Sequence, residues 1–133
     1  MFAAGLASLD AACCAETEDF SRADLFHVFG YPDEGRGYDY DNRVLAAQLH
    51  WLRGQLATPG IPGLSAIKIE GDRPGDYRGM SGAVVIADVD DVWKFAGMVT
   101  LASEKHDLLN FIPAEKIAYY LNKMVLMEMI GID

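Results

Sequence analysis

A mainly β fold closed by one C-terminal α-helix is the class this sequence predicts, and three observations carry the prediction. Runs dense in strand-forming residues recur along the chain, at Leu25–Phe29, Leu64–Glu70, Val84–Ala87 and Trp93–Thr100. Gly- and Pro-containing breakers separate them, at Gly30–Pro32, Thr58–Gly63 and Gly71–Gly75. After Pro113 the apolar side chains recur instead at a helical period.

In order, residues 1–24 form an N-terminal segment whose alanines and leucines favour a short helix, while Glu16-Thr17-Glu18-Asp19 favours a solvated turn. Leu25-Phe26-His27-Val28-Phe29 reads as a strand stopped by Gly30 and Pro32. Residues Asp33 to Asn42 read as a polar loop, solvated or lining a binding surface. Val44–Leu56 is ambiguous: Leu45, Leu49, Leu52 and Leu56 fall at helical spacing, and its Ala, Leu and Gln are good helix formers. Leu64–Glu70 alternates apolar and polar residues, as a strand with one buried face does.

Val84-Val85-Ile86-Ala87 leads through the acidic turn Asp88-Val89-Asp90-Asp91 into the strand Trp93–Thr100. Those carboxylates lack the glycine and distal glutamate of a calcium loop, so they read as a turn and no metal site is expected. Leu108–Ile112 is the last strand. Pro113 then suits a first helical turn and Gly131 a stop. Ile117, Leu121, Met124, Val125, Met127 and Met129 make a stripe that would pack on the strands. The 133 residues suffice for a single domain, with a β-rich core over 25–112 and a helix over 113–130.

Twenty acidic residues face eleven basic ones, for a net charge of −9, which argues against nucleic acid or an anionic membrane as the main partner. Cys13 and Cys14 are adjacent, a geometry that rarely bridges, and free thiols suit a reducing compartment. The apolar start lacks a basic region and is interrupted by Asp10, so it does not read as a signal peptide. No apolar run reaches membrane-spanning length. A cytoplasmic protein without a cofactor is expected.

The chemistry concentrates in Tyr77-Arg78-Gly79-Met80-Ser81-Gly82-Ala83, at the end of a charged Gly/Pro loop and just before a β-branched run. Glycines let the backbone turn sharply and bring its N–H groups near a reacting carbonyl, and two N–H groups beside a serine can make an oxyanion hole. Ser81 is the candidate nucleophile, with the N–H groups of Gly79 and Ser81 as donors. The nucleophile elbow of α/β-hydrolases is disfavoured, because Ala83 stands at its last glycine and a strand succeeds it instead of a helix.

Gly-Met-Ser-Gly-Ala before one strand, and Gly97-Met98-Val99-Thr100 in the next, resemble trypsin-like serine peptidases of bacterial type. Val28-Phe29-Gly30-Tyr31-Pro32 is similar to the strand opening their second barrel, and Phe111-Ile112-Pro113-Ala114-Glu115-Lys116-Ile117 to the start of their C-terminal helix. The resemblance covers roughly residues 25 to 125 and implies an antiparallel six-stranded barrel. It therefore assigns strands to Val44–Leu56 against the local helical spacing, since tertiary context can override propensity.

The resemblance also implies roles. Ser81 would attack a peptide carbonyl. Thr100, Leu101 and Ala102 would bind extended polypeptide along a strand edge, and Gly75, with Asp76 beside it, would form the base of the primary specificity pocket. Met80 replaces the aspartate found in many zymogen-derived members, so activation by a freed N-terminal amine is not expected.

The triad histidine and aspartate come from a first barrel in that family, and only 24 residues precede Leu25. His27, His50 and His106 match no triad position, and each reads as a structural or solvated histidine unless it serves Ser81. Three readings stay open: the second half of a serine endopeptidase completed elsewhere, an inactive protease-like binding module, and an unrelated small α+β domain. A lone second barrel would expose the apolar face that normally packs on the first, so self-association or a partner subunit is expected.

Overall fold

Strand after strand turns one apolar face inward until the sheet meets itself. The computed structural model describes residues 13–33 and 37–129. Its elements are β1 (Ala23–Gly30), β2 (Gly37–Asp39), β3 (Val44–Ala46), β4 (His50–Ala57), β5 (Ser65–Glu70), β6 (Val84–Val89), β7 (Val92–Ser103), β8 (Leu108–Pro113) and α1 (Ala114–Met129). Six of the strands form a closed barrel in the order β1-β4-β5-β8-β7-β6, and every neighbouring pair, including β6 with β1, is antiparallel. Closure pairs every barrel strand on both sides over part of its length, while Leu101–Ser103 of β7 runs past the end of β6 and pairs with β8 alone.

Alternation decides the core. Phe26 and Val28, Leu52, Ile67 and Ile69, Val85 and Ala87, Leu109 and Phe111 point inward and are almost wholly buried. Their neighbours along each strand face out. Gly54 shows why β4 is a strand despite its helical leucine spacing. A Cβ there would lie 2.2 Å from the Lys68 carbonyl oxygen on β5, an approach only glycine permits. Of the helically spaced leucines Leu49, Leu52 and Leu56, only Leu52 is buried.

The structure corrects several sequence expectations. Residues 1–12, which hold most of the alanines and leucines behind the expected short helix, lie outside the described region; Glu16–Asp19, expected as a solvated turn, leads the 3-10 turn Thr17–Arg22, closed by a capping box between Glu16 and Asp19. The polar loop is interrupted by β2, which pairs with β3 in a separate two-stranded sheet. Pro113 ends β8 rather than starting the helix. In the helical stripe Ile117, Leu121, Val125 and Met127 are partly buried, but Met124 is 63% exposed, because α1 packs on β7 and β8 along one narrow side. The side chain of Met129 lies outside the described set.

The N-terminal segment is part of the barrel. Cys14 bridges Phe95 in parallel fashion, with Ala15 N–H donating to Phe95 O at 2.9 Å and Phe95 N–H to Cys13 O at 2.8 Å. Phe20, 3% exposed, then packs its ring against Phe26 and Phe111, with centroids 5.7 and 5.6 Å away. Helix α1 is held at its start by a Thr17 hydroxyl donating to the Glu115 carboxylate and by Lys116 donating to Gly63 O. No helix among the described residues is long and apolar enough to cross a membrane.

Candidate active site

The turn between β5 and β6 is set by two glycines that need the left-handed region. Gly79 has φ +88° and Gly82 φ +87°. Met80 N–H donates to Tyr77 O at 3.1 Å and Ala83 N–H to Met80 O at 2.9 Å, while the Met80 side chain is buried. Gly82 N–H donates to Val99 O at 2.8 Å, and Val99 N–H returns a bond to Ala83 O at 2.9 Å, so the turn is sewn to β7. Asp33 closes the other side: its N–H donates to Arg78 O at 2.6 Å, and it packs directly on Gly79.

Strand β7 is bulged beside this turn. Val99 faces Phe111 and Leu101 faces Asn110, which leaves Thr100 without an opposite residue. Such bulges re-aim backbone groups. Here the Thr100 carbonyl accepts a hydrogen bond from the Ser81 hydroxyl at 2.9 Å. Ser81, Gly79, Thr100, Leu101 and Ala102 thereby share the walls of an open cleft of about 410 Å³, joined by Tyr77 and Glu104.

A network of charges fixes the floor. Tyr77, 4% exposed, donates its hydroxyl to Asp107 at 3.1 Å and its backbone N–H to Glu104 at 2.9 Å. Burial first, and the Asp107 carboxylate second, push the Tyr77 phenol up to about 12. The Arg73 guanidinium pairs with Asp107 and holds that carboxyl below its ordinary value. Nothing in the sequence distinguishes Tyr77, Glu104 and Asp107 as a set, because the partners lie about thirty residues apart on opposite sides of β6 and β7.

The remaining sequence candidates lie elsewhere. Gly75 and Asp76 precede the turn and do not line this cleft. The Asp76 carboxylate instead accepts from Arg78 N–H at 3.0 Å and pairs with its guanidinium at 3.1 Å, which lowers its pKa. Among the lining residues there is no histidine. His27 is buried on the outer face of β1, His50 opens β4 opposite Gly30, and His106 is exposed in the 3-10 turn Glu104–His106. The Thr100 carbonyl holds the Ser81 hydroxyl proton without being able to take it, and of the two carboxylates lining the cleft, Asp33 lies against Gly79 while Glu104 accepts from the Tyr77 N–H.

Sequence reasoning expects an exposed apolar face but names no residues for it. Trp51 on β4 is the cross-strand partner of Phe29 on β1, Phe29 of Val84 on β6, and Val84 of Met98 on β7. Trp51 is 51% exposed, and Val84 and Met98 are each more than a third exposed. This apolar row runs across four strands and ends against the Ser81 turn. Asp24, Asp88 and Asp91 bring carboxylates together at the far end of the same face.

Comparison of the chain with protein-family models, with curated proteins and with solved structures finds no match.

Proposed function

We propose that this chain is the nucleophile-bearing half of a trypsin-like serine endopeptidase, with Ser81 as nucleophile, Gly79 and Ser81 N–H groups as oxyanion donors, and Thr100–Ala102 as the edge along which polypeptide lies. The observation that carries the reading is the single cleft shared by Ser81, Gly79 and the bulged Thr100-Leu101-Ala102 segment at one end of a six-stranded antiparallel barrel. Ser81 needs a histidine that none of the cleft residues supplies. The apolar row Trp51-Phe29-Val84-Met98, contiguous with the turn, is where a second half or a partner subunit bringing that histidine would dock.

A second reading has its own observation. The Ser81 hydroxyl already satisfies Thr100 O, which suits a protease-like module that binds polypeptide without cleaving it. Fluorophosphonate labelling read by intact mass separates the two, run with and without added imidazole as a soluble base. The endopeptidase reading expects little labelling of the chain alone and clear imidazole-dependent labelling that disappears in Ser81→Ala. No Ser81-dependent adduct under either condition overturns it in favour of the binding module. Strong labelling without imidazole would show that the chain supplies its own base and would refute the need for a second half.

A further inference from the structure

His27 and Asp88 form an unmatched pair on the outer face. The Trp51 indole N–H donates to His27 Nδ1 at 2.9 Å. Indole is a donor only, so Nδ1 is the acceptor and the imidazole proton sits on Nε2. That Nε2 is buried and meets no acceptor, while Asp88 Oδ1 is buried and meets no donor. His27 lies opposite Ile86, two residues from Asp88 along β6, so the two side chains are diagonal neighbours on one face. An orphaned donor beside an orphaned acceptor is costly on both sides.

The surroundings are aromatic around His27 and acidic around Asp88, whose carboxylate lies within 4.8 Å of those of Asp24 on β1 and Asp91 in the turn after β6. Trp93 from β7 stacks on the imidazole at 4.3 Å between centroids, and Phe29 flanks it on its own strand. Arg53, the cross-strand partner of His27 on β4, holds its guanidinium 4.7 Å from the Trp51 ring centre. The charged groups that His27 senses are thus Asp88 from β6 and Arg53 from β4.

We infer that His27 is a protonation switch for this face: uptake of one solvent proton at Nδ1 breaks the bond from Trp51 and lets the imidazolium turn Nε2–H onto Asp88 Oδ1. One hydrogen bond is exchanged for a charge-assisted one, and the Trp51 indole N–H loses its acceptor while Phe29, Trp93 and Arg53 still hold the ring. Burial, the largest influence, works against the charged form, as Arg53 does, while Asp88 favours it. The net effect places the transition below the ordinary histidine value of 6.5. Because Trp51 begins the exposed apolar row, any partner docking there meets a differently held indole on the two sides of the transition. The switch itself does not depend on what docks or on Ser81 chemistry.

The test is a pH titration of the 15N-labelled full chain, whose two tryptophans give two indole N–H resonances. The Trp51 resonance is expected to move through one transition with the same midpoint as the His27 ring signals. Asp88→Asn, which keeps the shape and removes the anion, is expected to lower that midpoint by about one pH unit. His27→Gln keeps an acceptor oxygen but cannot take a proton, and should leave the Trp51 resonance constant over the same range. A Trp51 resonance that stays fixed while His27 titrates overturns the inference. So does a midpoint indifferent to Asp88→Asn, a comparison that holds even if His27→Gln does not fold.

Discussion

Replacing Gly79 by alanine adds one methyl group at a point where the backbone has φ +88° and where that methyl would sit 2.4 Å from Asp33 Oδ1 and 2.8 Å from Asp33 N. The left-handed conformation alone costs an L-residue about 1–2 kcal/mol. The carboxylate can swing aside, but the Asp33 backbone cannot do so without straining its bond to Arg78 O, worth about 1 kcal/mol. Gly82→Ala is the matched control, since its φ of +87° is nearly the same and a Cβ there meets nothing within 4 Å. We therefore expect Gly79→Ala to destabilise by about 2–3 kcal/mol and Gly82→Ala by about 1–2 kcal/mol. With a urea slope of about 2 kcal/mol per molar, the Gly79 midpoint should fall roughly 0.5 M below that of Gly82. Equal midpoints would refute this reasoning, because they would mean that Asp33 does not clamp the turn.

Phe20→Ala should cost about 3–5 kcal/mol by the same assay, as a deletion of a buried aromatic does, although Phe20 precedes every strand. An ordinary surface-sized loss would detach the segment from the core. Tyr77→Phe removes the bond to Asp107 and is expected to cost about 1 kcal/mol; in the parent chain, spectrophotometric titration should find one tyrosine ionising near 12. Asp76 and Asp107 have folded pKa values held below the ordinary aspartate value of 3.8 by Arg78 and Arg73. Their contribution is present above that value and lost as pH falls through the folded pKa. The lowered His27 acts in the same direction at higher pH, its contribution complete above about 6.5. Denaturation midpoints measured from pH 8 to pH 3 should therefore decline in two steps, the upper one missing in His27→Gln. Met98→Asp, placing a charge in the exposed apolar row, should abolish any self-association seen by light scattering; association unchanged by it would place the contact elsewhere.

Much of the barrel was legible because its strands alternate cleanly, as Leu64–Glu70 does, and because glycine and proline punctuate them. Val44–Leu56 was not legible locally: its leucines obey a helical period, and only Gly54 against the Lys68 carbonyl explains why β4 wins. In the N-terminal segment the burial of Phe20 was not legible, because it depends on Phe111, far away in sequence. At the candidate site, the Gly-Met-Ser-Gly turn could be nominated from its residues, and the Thr100-Leu101-Ala102 segment only through the family resemblance. The bulge that aims the Thr100 carbonyl at Ser81, and the Tyr77–Asp107 support beneath, could not, because both arise from pairing across strands. Of the acidic turn expected over Asp88–Asp91, Asp88 and Val89 instead continue β6, and the turn itself falls on Asp90 and Asp91, both with positive φ.

The contact of Phe20 with Phe111, and the bond from Thr17 to Glu115 across 98 positions, join the two ends of the described chain. Contacts of such separation are made late, since loop-closure entropy must be met before they add stability. While this polypeptide is being synthesised, Phe20 and the edge of β1 would wait, exposed, until β6 and β8 had emerged. The barrel would close only when most of the described chain is free, so during synthesis its early strands present exposed apolar surface and unpaired edges that favour aggregation.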